Sequence, residues 1–260
     1  MMILACTVAQ IQNIGFQMSN SVDYFTFCYP GDIVRLSQPG ELESRVLSHG
    51  YSFNTVNVIR QRCAHDFDNI VFSSSSFAVT EWRSEDFPDI LHEFGLPEVD
   101  EQAEEFYRHD PPYNHIWTRH CINHLIGLKI SQADYIVFSD SDCRMQHQPS
   151  SWVNVAIDIL NRHNDALIVC PSDGGYMEEK RIGNIRFTQN VSQQLFCCER
   201  ARFKDIDFNV PWNWEVRCPG DPAGVYYWML EGRIWRYLHK HGLYRAILPI
   251  EWRYLHDQWH

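Results

Sequence analysis

The run Ala133-Asp134-Tyr135-Ile136-Val137-Phe138-Ser139-Asp140-Ser141-Asp142 decides the reading of this chain. A short run of β-branched and aromatic residues ends abruptly in two carboxylates one residue apart. Such a run reads as a strand buried on both faces of a parallel sheet, emerging at an Asp-x-Asp turn. In open α/β sheets, ligands bind just beyond the carboxyl ends of the strands. Side chains at i and i+2 of an extended segment share a side, so Asp140 and Asp142 are placed to face one ion. Paired carboxylates suit a hard divalent cation, Mg²⁺ or Mn²⁺, and such a cation commonly arrives with a phosphorylated ligand. A solvated turn after a strand also accounts for two aspartates.

Strand and helix signals alternate outward from this run. Met2 to Val8 and Tyr24 to Tyr29 read as strands, the second closed by Pro30-Gly31-Asp32. Glu41 to Ser48 reads as a helix stopped by His49-Gly50. Tyr51 to Ile59 and Asn69 to Phe72 are further strand candidates. Thr80 to Pro112 is acidic and irregular, an excursion suited to covering a site. Thr118 to Ile130 reads as a helix with Ile122, Leu125 and Ile126 on one face, feeding directly into the Asp140 strand.

Ser150-Ser151 is an N-cap signal for a helix with Val153, Ala156, Ile157 and Leu160 at i, i+3, i+4 and i+7. Ala166 to Cys170, Gln194 to Cys198 and Tyr244 to Leu248 read as strands. Asp221-Pro222 opens a last long helix, with Tyr227, Leu230, Ile234 and Leu238 on its inner face and Gly242 at its end. This order predicts an α/β/α sandwich with a mixed, mostly parallel central sheet. No repeat or linker interrupts it, so residues 1–260 are expected to form a single domain.

Composition narrows the function classes. A net charge of −11 argues against a nucleic-acid binder, which normally presents a basic face. No segment reaches the ~18 consecutive apolar residues of a membrane span, and Met1 to Asn20 does not read as a signal peptide. The nine cysteines show no CxxC pair. They read as mostly reduced and buried, which fits a cytoplasmic protein. Adjacent Cys197 and Cys198 read as core residues. Asn190-Val191-Ser192 matches a glycosylation acceptor, relevant only to a secreted chain.

The block from Trp117-Thr118-Arg119-His120 through Gly127 and Ala133-Asp134-Tyr135 to Asp140-Ser141-Asp142 resembles the central block of glycosyltransferases of GT-A fold, family 2 in particular. His120 stands where that family has Asn, and Ala133 where it has Gly. Downstream, Gln194 to Phe203 is similar to the family's strand and Arg-x-x-Phe segment. Pro219-Gly220-Asp221-Pro222 stands where the family carries an acidic pair, of which one member is present here. The similarity covers roughly residues 115–256.

The resemblance implies a GT-A fold, with residues 1–142 binding a nucleotide-diphosphate sugar (a UDP- or GDP-sugar) and residues 143–260 binding a glycan or other hydroxyl acceptor. It implies that Asp140, Asp142 and His256 hold Mn²⁺ or Mg²⁺, with Asp142 the first choice for direct coordination and Asp140 an alternative ribose ligand. Arg119 would pair with a phosphate. Asp221, with Glu215 as the fallback, would be the general base, and direct attack by the acceptor hydroxyl would invert the anomeric centre.

Plainer readings stand beside these. Asp221 is also a sufficient N-cap, and Arg119 also suits an ion pair. His256 is one of thirteen histidines. Asp32 and Asp68 follow N-terminal strands and are placed to contact nucleobase or ribose, or to serve as turn residues. Trp212 and Trp214 suit either a sugar platform or the core.

Three other classes fit parts of the pattern. A sugar-nucleotide nucleotidyltransferase should carry a Gly-rich, basic phosphate loop near its first strand, and Met1 to Asn20 has none. A histidine-rich metallohydrolase lacks HExxH, and His239 and His241 are two apart on a helix and cannot face one ion. A non-catalytic sugar- or nucleotide-binding protein on the same fold would account for the reduced acidic motif.

Overall fold

The computed structural model describes residues 20–28, 36, 38–61, 77–82, 86–96, 113–172, 178–210 and 230–256. For Gln61, Phe87, residues 113–121, His147 and His256 the backbone alone is described. The expected strands Met2–Val8 and Asn69–Phe72 lie outside these residues.

In chain order the elements are β1 (Val22–Cys28), α1 (Glu41–Ser48), β2 (Thr55–Gln61), β3 (Phe77–Trp82), α2 (Phe87–Glu93), α3 (Tyr113–Ile130), β4 (Tyr135–Asp140) and β5 (Cys143–His147). There follow α4 (Trp152–Arg162), β6 (Ala166–Cys170), β7 (Lys180–Ile182), β8 (Ile185–Thr188), β9 (Leu195–Glu199), α5 (Arg200–Lys204), α6 (Leu230–His241), β10 (Tyr244–Ile247) and β11 (Arg253–His256). Among the described residues, nine strands form one sheet in the order β3-β2-β1-β4-β9-β6-β10-β8-β7. β3, β2, β1 and β4 are mutually parallel, and β6 and β10 are parallel to each other. β9 runs antiparallel between β4 and β6, and the β7–β8 hairpin is added at one edge. The sheet is therefore mixed and mostly parallel at its centre, as expected.

Burial follows the pleat. Tyr24 of β1 packs with Val46 of α1 and Trp152, Ala156 and Leu160 of α4 on one face. Phe25 and Phe27 pack with Leu125 of α3, Phe203 of α5 and Ile234 of α6 on the other. Tyr135 to Phe138 are buried throughout, as expected of a strand covered on both faces. At about 1.5–3 kcal/mol per fully buried large apolar side chain, this run stabilises the centre of the sheet. Gly127 lets α3 approach closely: a Cβ there would lie 2.7 Å from Phe138 and 3.2 Å from Phe25.

Several sequence expectations shift. β2 starts at Thr55 rather than Tyr51, and α3 begins at Tyr113, one turn and more before Thr118. The stretch from Thr80 is more regular than expected: it contains the end of β3 and all of α2. β3 is an edge strand with half its residues exposed, so it lacks the continuous apolar run of β4. The β7–β8 hairpin has no counterpart among the expected strands, although its Gly183-Asn184 turn, with Gly183 at φ +58°, is a hairpin signal. Ser151 occupies the N-cap of α4 but makes no capping bond; the Trp152 amide donates instead to Gln148 Oε1 at 3.1 Å. No described helix is long and apolar enough to cross a membrane.

His49 is fully buried after α1, ringed by Tyr24, Phe53 and Trp152. Its Nδ1 accepts the Trp152 indole N–H at 3.0 Å, which fixes the proton on Nε2. Burial lowers its pKa from 6.5 to about 3. The unfolded chain therefore binds a proton below pH 6.5 that the native state refuses until about pH 3. Stability from this group is fully present above pH 6.5 and is lost as pH falls, at about 1.4 kcal/mol per unit. Urea unfolding at pH 6.5 and 4.5 is expected to show a smaller loss for His49→Gln than for the wild type, by about 2–3 kcal/mol. Equal losses would show that His49 is not buried neutral.

Candidate functional site

Asp140 ends β4 and Asp142 lies two residues on, in the turn before β5. β1 pairs with β4 as far as Phe27 opposite Asp140, so both aspartates stand at the carboxyl edge of the parallel strands. Asp140 is half-buried, and Asp142 is only 8% exposed. A carboxylate so buried needs hydrogen bonds or a cation to offset its lost hydration.

The turn is held by groups that the sequence did not advertise. The Asp140 amide donates to the Gln194 carbonyl at 2.6 Å, and the Cys143 thiol donates to the same carbonyl at 3.6 Å. Tyr254 Oη donates to Gln194 Oε1 at 3.0 Å. Gln194, just before β9, thus links β4, β5 and β11. On the other side, the Met145 amide donates to Ser48 Oγ at 3.1 Å, and Gln148 Nε2 to the Ser48 carbonyl at 2.7 Å. These bonds fasten β5 to the end of α1. The Cys143, Met145 (buried) and Arg144, Gln146 (outward) alternation was the available signal for β5, too short to stand out beside the Asp-x-Asp turn.

β5 and β11 form a separate two-stranded antiparallel sheet. In its register His256 is opposite Cys143, the residue after Asp142. The backbone of His256 is thereby brought beside the aspartate turn from more than a hundred residues downstream. Its side chain lies outside the described set. Ser172, just after β6, bridges Arg253, and its amide donates to the Trp252 carbonyl at 2.8 Å. The ends of β4 and β6 therefore meet at this small sheet.

Arg119 lies in α3, whose backbone is described there. α3 leaves its C-terminus near the start of β4, and its 18 residues span about 27 Å. His124 is buried against Phe27, Phe138 and Phe196, with Nε2 3.4 Å from the Gln193 carbonyl. The amino-terminal half of α3, Arg119 included, thus continues toward the edge that carries Gln194 and Asp140. Asp32, Asp68, Glu215 and Asp221 lie outside the described residues, as do Trp212 and Trp214. The described part of the last helix, Leu230–His241, buries Leu230, Ile234 and Leu238 as expected and is followed by Gly242 at φ +63°.

The donor set of two carboxylates with an imidazole-bearing residue on the adjoining strand fits a divalent cation of the Mg²⁺ or Mn²⁺ type in chemistry. Among the described residues, no three His, Cys, Asp or Glu are gathered in metal-holding geometry. Cys197 and Cys198 are fully buried in β9, and burial raises both thiols well above their ordinary range. They are core residues, unsuited to nucleophilic or redox work at neutral pH.

No protein-family model matches this chain, and no curated protein matches it.

Proposed function

We propose that this chain is a metal-dependent glycosyltransferase of GT-A type, moving a sugar from a nucleotide-diphosphate sugar to an acceptor hydroxyl with inversion. The observation that carries the reading is the β5–β11 register, which sets the backbone of His256 beside the Asp140-x-Asp142 turn at the carboxyl edge of the sheet. A solvated turn has no need of a buried second aspartate, or of a returning strand aligned on it.

In this reading Asp142 and His256 hold Mn²⁺ or Mg²⁺, and Asp140 shares the cation or holds the ribose. The cation supplies neutralisation of the charge that develops on the departing diphosphate. Arg119 offers its planar fork to a phosphate oxygen. Asp221, or Glu215 in its place, accepts the proton of the acceptor hydroxyl, a role worth about 10²–10⁴ in rate. Asp32 and Asp68 contact nucleobase or ribose, and Trp212 and Trp214 offer stacking faces to the acceptor sugar.

The test is a thermal-shift screen of UDP, GDP and their sugar conjugates, each with and without Mn²⁺. Stabilisation that requires both the cation and one nucleotide is the expected result, because a ligand bound only by the folded state raises its stability. At a hundred times Kd the gain is about 2.7 kcal/mol. The absence of a shift for every pair in a folded sample would overturn the reading.

A further inference from the structure

At the opposite end of the same strands lies a cleft of about 390 Å³, walled by the starts of β1 and β2 and the end of α3. Asp23 of β1 lines it and is 6% exposed. Its register partner on β4 is Ile136, four residues before Asp140, so the two carboxylates are separated by about 13 Å along the strands. The cleft is therefore a different place from the aspartate turn, and its chemistry is independent of the transferase reading.

The cleft exists because the pleat changes character along this face. Farther along, Phe25, Phe27 and Ile59 pack under α3. At the strand starts the same face carries Asp23, Thr55 and Asn57, where apolar packing would otherwise continue. Asp23 accepts two hydroxyl donors, Thr55 Oγ1 on Oδ1 and Ser131 Oγ on Oδ2, each at 2.7 Å. No Lys, Arg or His is among the described residues that line the cleft. Two cations close by in sequence to the lining residues or bonded to them have partners: Lys129 pairs with Glu93 at 2.6 Å, and Arg200 Nε donates to the Ala133 carbonyl at 2.8 Å.

Two neutral hydroxyls only partly replace the hydration of a buried carboxylate, which has about four acceptor positions. Asn57 Nδ2 donates to Thr55 Oγ1, which leaves the amide oxygen of this side chain as an acceptor on the same wall. The C-terminus of α3 adds partial negative charge. Ile130, 38% exposed, supplies apolar surface beside these acceptors.

We propose that this cleft binds a linear aliphatic ammonium group, its charge on Asp23 and its alkyl stem against Ile130. The sources of that chemistry are a free alkylamine or a lysine side chain of another protein.

The test is a methyl-NMR titration of the full chain with n-butylammonium chloride, with 1-butanol and sodium chloride as controls. Saturable shifts of the Ile130 and Ala133 methyl groups are expected with butylammonium alone. Asp23→Asn is expected to weaken binding about tenfold or more, as for a lost charged hydrogen bond. Asn57→Leu, which leaves Asp23 and its two hydroxyl donors in place, is expected to weaken binding by replacing the amide acceptor on the wall with a bulkier apolar group. No saturable shift in the wild type, equal response to butanol, or unchanged binding in folded Asn57→Leu would overturn the proposal. Tighter binding of N-acetyl-lysine-N-methylamide than of butylammonium would identify a protein side chain as the source, and weaker binding a free amine.

Discussion

Asp142→Asn is expected to lose metal-dependent nucleotide binding while keeping its fold. The substitution is nearly isosteric, so the buried turn between β4 and β5 retains its volume. What changes is charge and ligand chemistry: a neutral amide is a poor partner for a hard divalent cation. Loss of groups that merely orient ligands costs about 10–100-fold in metal affinity, so loss of a direct ligand should cost about 100-fold or more. Calorimetric titration of UDP and GDP in Mn²⁺ is the measurement, with circular dichroism as the check on folding. Unchanged affinity would overturn the proposed role of Asp142 in holding a cation. Asp221→Asn should give the opposite profile, with near-normal nucleotide affinity and transfer reduced by about 10²–10⁴. That contrast separates a residue that holds the donor from one that moves a proton.

The second large effect is expected at Phe138. Its ring is fully buried and meets His124 at 5.1 Å, Phe196 at 5.2 Å, Phe25 at 5.8 Å, Phe27 at 6.0 Å and Phe203 at 6.1 Å between centroids. It joins β1, β4, β9, α3 and α5 in one aromatic cluster, two residues before Asp140. Phe138→Ala should destabilise the chain by about 3–5 kcal/mol, through lost transfer energy and a cavity that only partly collapses. Against a typical total of about 5–15 kcal/mol, that is a large share. Urea unfolding at pH 7 measures it, and a loss below about 1 kcal/mol would contradict the packing of α3 on the sheet. Phe138→Leu, which keeps most of the apolar volume, should cost less.

The central strand, α1, α4 and β6 were legible because each carries its own signal. β4 is a continuous apolar run, α4 repeats at helical spacing, and Gly50 and Gly242 take the positive φ that ends a helix. β3, β7 and β8 were not legible, because edge strands are half exposed and lose the apolar contrast that marks a buried strand. β5 and β11 escape a reading of the sequence for another reason. Each is only a few residues long, and a short strand is specified by its partner rather than by its own composition.

The aspartate pair itself, and its position at the end of a strand, followed from the sequence alone through the alternation of an extended chain and the apolar run before it. The grouping around it was a tertiary decision. His256 reaches Cys143 only through pairing of β11 with β5. Gln194 joins β5 to β4 through a backbone carbonyl that every residue possesses, and β11 through its side-chain amide oxygen. The Asp23 cleft likewise follows from three polar residues of two strands meeting the end of a helix. Local periodicity records what each segment buries; hydrogen bonds between segments far apart in the chain leave no such periodic trace, and these decided the site.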